Sequence, residues 1–309
     1  MLSVPNGKAL EAELDNLEFM VCFDFYLNET TRHADVILPP TPTLEHDHYD
    51  MIFNHFAVRN VTRFNEPVMR KPEGAYHDWE IFTELGKRMA VKTGKTERTL
   101  PAPHELMDLG LQYGPYGEKA GHELALNLQK LKDNPHGIDL GPLTSTLPER
   151  LQTADKTINL ADPLYLNDIP RVAAQLQSNH DGLLLIGRRH VRSNNSWMHN
   201  SHRLVKGKAR DQLLMNPADL AKAGVTDGST VKVASRVGEI EIEVNASDEM
   251  APGVVSIPHG WGHNRDGIRL GIAEQHAGTS VNDITDEKFV DTLSGNAAVN
   301  GVPVTVSAA

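Results

Sequence analysis

Between Gly187 and Asn200 the chain reads G-R-R-H-V-R-S-N-N-S-W-M-H-N, directly after the apolar run Leu183-Leu184-Leu185-Ile186. Arginine, asparagine, histidine and serine side chains are crowded into one loop at the end of a buried strand. So dense a set of donors on a rigid element suits the grip of a large, polar, anionic ligand. A solvated surface loop has the same composition, so its neighbours must decide. One is the turn Asp24 to Thr30, where Asp24, Asn28, Glu29 and Thr30 would sit at the carboxyl end of a parallel strand, the place where open α/β sheets bind ligands. Plain turn chemistry with a helix cap explains the same residues. Asp78, just before Trp79, could contact a base or cap its helix.

Metal chemistry finds little support. His46-Asp47-His48, near His33 and Glu45, places adjacent side chains on opposite faces of extended chain, whereas ligands must converge. His259 and His263 have helical zinc spacing, but Pro258, Gly260 and Gly262 forbid an ordinary helix. The string His259-Gly260-Trp261-Gly262-His263-Asn264 reads better as a tight loop lining a pocket, with Trp261 offering a flat face. The one cysteine, Cys22, lies within Phe19-Met20-Val21-Cys22-Phe23 and fits buried packing rather than a disulfide or cluster. No G-x-G-x-x-G, G-x-x-x-x-G-K-[ST] or G-x-S-x-G is present, so nucleotide dehydrogenase, P-loop and α/β-hydrolase readings lose their usual signal.

The elements that must carry these residues follow from periodicity. Leu10, Leu14 and Leu17 share a helical face, Glu18 to Phe25 reads as a strand covered on both sides, and Asp35 to Leu38 as a second. That order suggests a parallel α/β layer. Tyr76 to Val91 is helical, with Trp79, Phe82, Leu85 and Met89 on its apolar face. Lys95 to Pro170, broken by Pro and Gly, reads as a margin with helices at Glu105–Leu111 and His122–Leu131. Short β-branched runs follow from Gly182, at 230–233, 239–244, 253–257 and 302–306, the pattern of a barrel or sandwich. Asn216-Pro217 opens a short helix and Gly224 closes it.

At 309 residues, with 39% hydrophobic and 23% charged residues, the chain has room for two domains. Its net charge of −11 argues against a general nucleic-acid binder, although Arg188, Arg189 and Arg192 could hold a polyanion locally. The absence of a membrane-length apolar run and of a visible signal peptide allows a cytoplasmic location.

Five fragments in order, N-E-T-T-R-H-A-D-V-I-L-P with L-E-H-D, the Arg-rich loop, N-P-A-D-L-A-K-A-G-V-T-D-G-S-T-V-K-V, P-G-V-V-S-I-P-H-G-W and V-N-D-I-T with Ser294-Gly295, resemble the molybdopterin oxidoreductases of the dimethyl sulfoxide reductase and formate dehydrogenase class. The resemblance implies an α/β layer domain with a parallel sheet over 1–175 and an all-β double-psi β-barrel over 176–309. It implies a bis(molybdopterin guanine dinucleotide) cofactor carrying Mo or W. By the same carry-over Asp24, Asn28, Thr30 and Asp78 serve the guanosine end, with Glu29 of the same turn counted among the cofactor-binding residues. Arg188, Arg189, Arg192, Ser193 and Asn194 contact pterin and phosphate, with His259 and Asn282 nearby. Asn300-Gly301 stands where the family often has a Lys. Relatives carry their iron–sulfur cysteines and metal ligand in a part preceding this one. The expectation is therefore the C-terminal part of such an enzyme, with no catalytic or metal-ligating residue of its own and a missing N-terminal half or partner chain. The rival is a non-catalytic nucleotide-binding or scaffold module.

Overall fold

A computed structural model describes residues 1–177 and 182–309. Six strands close a barrel in the order Glu239–Ala246, Leu213–Met215, Val254–Pro258, Leu183–Arg188, Val302–Ala308, Thr230–Ala234 and back to the first. Two of its ladders are parallel, Leu183–Arg188 with Val254–Pro258 and Leu213–Met215 with Glu239–Ala246, and the others are antiparallel. Closure gives every strand a neighbour on both sides, so backbone groups pair along the ladders rather than at an open edge.

The strand Glu239–Ala246 shows how the sequence builds this wall. Ile240, Ile242 and Val244 point inward and are buried, while Glu239, Glu241 and Glu243 face water. A one-residue slip would invert that set, so the alternation fixes the register. Facing strands supply Leu185, Leu213, Met215, Val231, Val233, Val255 and Ile257, all fully buried. The helix Pro217–Ala223 packs Leu220 on this core. Its Asn216 cap accepts a bond from the Ala218 amide at 2.9 Å, and Gly224 ends it at φ 68°. These barrel elements lie where the β-branched runs and the cap signals place them. The short strand Leu213–Met215 had no such signal.

The chain divides into two compact units. The first holds 1–22, 26–36 and 160–309, so the N-terminal helix Gly7–Leu14 belongs with the barrel. The second holds 23–25 and 37–159. Its small core joins Phe64 to Leu111, Leu126 and Leu131. Lys95 to Pro170 is thus more than a margin, since it supplies three of those four residues. Helices run over Asp78–Lys92 and Pro103–Tyr113, and the expected helix His122–Leu131 shortens to Leu128–Lys132, where Asn127 caps the Lys130 amide.

Across 1–175, where a parallel sheet is expected, no sheet among the described residues has more than two strands. Outside the barrel, strands among the described residues are two residues long and lie in two-stranded ladders. A strand apolar on both faces needs layers on both sides. Here Phe19 and Phe25 stay exposed, and Cys22 is half-buried rather than enclosed. The helix Asp78–Lys92 likewise leaves Phe82 and Met89 exposed. No helix among the described residues is long and apolar enough to cross a membrane.

Burial sets the first expected outcome. Leu213→Ala in the barrel wall should cost about 2–5 kcal/mol, while Val58→Ser on the exposed surface should stay within about 0.5 kcal/mol, both read by denaturant unfolding.

Candidate functional site

Barrel topology brings two loops together. Strand Leu183–Arg188 pairs in parallel with Val254–Pro258, so both end at the same rim, with Arg188 opposite Pro258. The His259 amide then donates to the Arg188 carbonyl at 3.0 Å, which carries the pairing into the loops. Gly260, at φ 94°, presses its backbone against Asn195: a Cβ there would stand 2.0 Å from the Asn195 carbonyl oxygen. Only glycine fits that approach. The Arg-rich loop and the Gly-Trp-Gly loop are therefore locked face to face.

Arg188, the last strand residue, is half-buried and donates to the carbonyls of Ser256 at 3.1 Å and Gln212 at 2.9 Å. Burial pushes its guanidinium pKa down, and no carboxylate offsets that cost. Arg189 donates to the Asn195 side chain, and Arg192 is exposed. Ser193 is buried, while Asn194 and Asn195 adopt the left-handed region at φ 42° and 61°. Asparagine tolerates that region through its short polar side chain. Asn200 closes the loop by accepting from the Ile272 and Ala273 amides. His259 is half-buried, and its pKa is lowered by burial and then by Arg189. Asn300 accepts from the Gly187 amide at 2.7 Å, tying the last strand's approach to the loop's start.

From Gly187 to Arg210 the sequence contains Arg188, Arg189, Arg192, Arg203, Lys206, Lys208 and Arg210, and no acid. Among the described residues none of these cations is in an ion pair. In a chain of net charge −11, so concentrated a positive segment attracts an anion. A cavity of about 290 Å³ lies at its end, lined among others by Lys208, Arg210, Asp211, Trp261, His276 and Gly278. Gly278, at φ 60°, leaves no room for a side chain, since a Cβ would come within 2.9 Å of Trp261. Sequence reading saw three of the seven cations and missed the cavity, because Lys208 and His276 meet only through the fold.

The remaining expected residues fall in different places. Asn28 accepts from the Thr30 and Thr31 amides at 3.0 and 3.1 Å, bonds that shape the turn. The Thr30 hydroxyl accepts from the Met1 amino group. Asn282 is buried, donating to the Leu2 carbonyl at 2.6 Å and accepting from Thr285 at 2.8 Å. Asp24 and Asp78 belong to the second unit. Asp24 is half-buried there, beside Phe23, whose ring packs on Phe82 at 4.5 Å. Asp78 is exposed and accepts from the Trp79 amide at 2.8 Å, a helix-start contact.

Glu29 goes inward. Its carboxylate accepts from His263 Nδ1 at 2.6 Å, and His263 Nε2 meets His199 Nδ1 at 2.9 Å. The His199 ring stacks on Trp261 at 3.9 Å and 23°. Glu29 is 7% exposed, His263 and His199 1%, and Trp261 4%, and His199 Nε2 is buried without a hydrogen-bond partner. Burial is the largest influence and opposes the Glu29 charge, but the bond from His263, the His263 charge, a backbone bond and the amino terminus together outweigh it and lower the pKa. Burial, then the neighbouring His263, lowers His199 to about 4. No spacing rule finds this chain, since its members come from three separate loops. The unfolded chain takes up the His199 proton near its ordinary pKa, so the stabilisation is complete above about pH 6.5 and is lost as the pH falls towards 4, by up to about 3 kcal/mol. Glu29, also depressed, loses its share lower on the same acid side. Melting temperatures should therefore fall between pH 6.5 and 4.5, and His199→Phe should flatten that slope. An equal slope in the variant would contradict this account.

Comparison with known proteins agrees with the barrel and its loops. Residues 183–303 match the family model of the molydopterin dinucleotide binding domain, and residues 1–88 that of molybdopterin oxidoreductase. The chain is similar to the probable oxidoreductase YoaE of Bacillus subtilis (strain 168), 23% identical over 92% of this chain and 39% of that protein. It is 22% identical to the dimethyl sulfoxide reductase DmsA of Escherichia coli (strain K12), over 90% of this chain and 36% of the other. Trimethylamine-N-oxide reductase 1 of the same strain is 26% identical over 82% and 32%. The chain thus spans less than two fifths of the length of these relatives. Its fold matches part of acetylene hydratase from Pelobacter acetylenicus with a TM-score of 0.64, at 18% identity, over 99% of this chain and 42% of that one. With both family models matched in order and relatives aligned along most of its length, the chain belongs to the molybdopterin oxidoreductases and carries their dinucleotide-binding domain.

Proposed function

We propose that this chain clasps the pterin and guanosine arms of a bis(molybdopterin guanine dinucleotide) cofactor carrying molybdenum or tungsten, as the C-terminal part of an oxidoreductase. The observation that carries this reading is the run of seven cations, none in an ion pair among the described residues, that starts at the barrel rim with Arg188. A diphosphate needs such donors, and planar guanidinium groups suit its oxygens. The fit is chemical as well as electrostatic. Arg188 is half-buried with only backbone carbonyls as partners, the state of a cation kept for an anion. Trp261 offers an aromatic wall within the 290 Å³ cavity, where Lys208 and Arg210 add charge. We read the two parallel ladders of the barrel as the double-psi arrangement.

When bound, the cofactor supplies the redox chemistry, and the protein supplies binding, orientation and electrostatics. Arg188, Arg189 and Arg192 neutralise phosphate. Ser193, Asn194 and His259 offer polar contacts beside them. Asn28 and Thr30 hold the turn whose Glu29 reaches the Trp261 loop, and Asn282 anchors the segment that follows that loop. Asp24 and Asp78 are assigned to the guanosine end by family resemblance. The iron–sulfur cluster and the metal ligand are assigned to a separate part of the enzyme, because the only cysteine is Cys22, and the chain alone is inactive on this reading. The exposed apolar residues Phe19, Phe25 and Phe82 are consistent with an α/β layer completed by that part.

The test is titration of the purified chain with GDP and with molybdopterin guanine dinucleotide. Arg192→Ala, on the exposed loop, should weaken binding about tenfold, by the worth of one charge-assisted hydrogen bond, without changing the circular dichroism spectrum. Arg188→Ala with Arg192→Ala should abolish it. Absence of binding to either probe, or an unchanged affinity in the double variant, would refute the assignment.

A further inference from the structure

Glu29, His263, His199 and Trp261 come from the Tyr26–Thr31 turn, the loop after Val254–Pro258 and the Arg-rich loop, all in the barrel unit. Their links are short and buried, and they run in one line from a carboxylate to an indole. Glu29, when ionised, accepts only, so His263 presents Nδ1–H to it. His263 Nε2 then faces His199 Nδ1 at 2.9 Å, and the bond between the two rings holds the His199 imidazole where it stacks at 23° on Trp261. Trp261 in turn is part of the cavity wall, next to Gly278.

We propose that Glu29 is a positioning residue: through the hydrogen bonds that link it to His263 and His199 it holds the plane of Trp261 and so the shape of the 290 Å³ cavity. Glu29 thus acts on the cavity wall rather than by touching a ligand. Stacking alone would hold the indole near the imidazole but would not fix where the imidazole sits, which the His263 bond does. The charged groups that face the relay are few. Arg210 and His263 disfavour a proton on His199 and Glu29 favours one, while the amino terminus faces Glu29. Burial and these neighbours together hold His199 neutral.

The claim about the cavity's ligand rests on the function proposed above, so the test reads Trp261 directly. In a Trp79→Phe/Trp197→Phe background Trp261 is the only tryptophan, and its acrylamide quenching reports the wall. Glu29→Gln keeps the shape of the side chain and removes its charge. It should at least double the quenching constant. His199→Phe keeps a ring on the indole and cuts the relay, so Glu29→Gln added to it should change nothing further. An equal effect of Glu29→Gln in both backgrounds, or none in the first, overturns the proposal. A measurement without any relay substitution stands beside it. Trp261 emission should titrate together with the His199 imidazole resonance, near pH 4. Emission that ignores that proton also overturns the proposal. GDP titration of the same proteins separates the two readings. If GDP and the dinucleotide fail to bind even the unsubstituted protein, the function assignment fails while the fluorescence cycle still judges the relay.

Discussion

The site depends on one piece of topology, the parallel pairing of Leu183–Arg188 with Val254–Pro258. Antiparallel neighbours would send their following loops to opposite ends of the barrel. Parallel ones release both loops at the same rim, and the His259–Arg188 backbone bond extends the ladder past the strands. Everything chemical about the rim follows from that: the cationic loop, the Gly260 approach to Asn195 and the cavity beside Trp261. A rigid closed wall beneath, filled by Leu185, Val255 and Ile257, keeps these loops where the pairing puts them.

Charge is distributed against the average of the chain. A net −11 keeps the protein acidic overall, yet the segment 187–210 contains only basic charge, without ion-pair partners among the described residues. Elsewhere in the same unit the opposite economy holds. Arg265 donates to Asp283 at 2.7 Å, and Arg236 bonds Asp286 at the surface. Those pairs are structural and self-neutralising. The rim is left electrostatically open, which costs stability and is expected of a binding surface.

Much of the barrel was legible because its physics is local. The Glu-Ile-Glu-Ile-Glu-Val alternation, the Asn216 cap and the Gly224 stop each act within a few residues, and each element stands where its signal lies. The N-terminal half was read less well. Glu18 to Phe25 has the composition of a fully covered strand, but composition cannot supply the covering layers, and only Val21–Cys22 forms a strand. The core around Phe64 and Leu131 escaped notice because it joins residues far apart between prolines and glycines.

The sequence by itself determined the donors, their crowding after a buried strand, and enough ordered motifs to reach the family. Those properties are carried by neighbouring residues and survive without a fold. Tertiary structure alone decided that Glu29 faces inward to His263, that two histidines meet across 64 positions of sequence, and that Trp261 receives one of them on its ring. The reason is desolvation. A carboxylate and two imidazoles are tolerated in a dry interior when specific partners satisfy most of their polar atoms, and which partners are available is settled by three loops converging, not by any one of them.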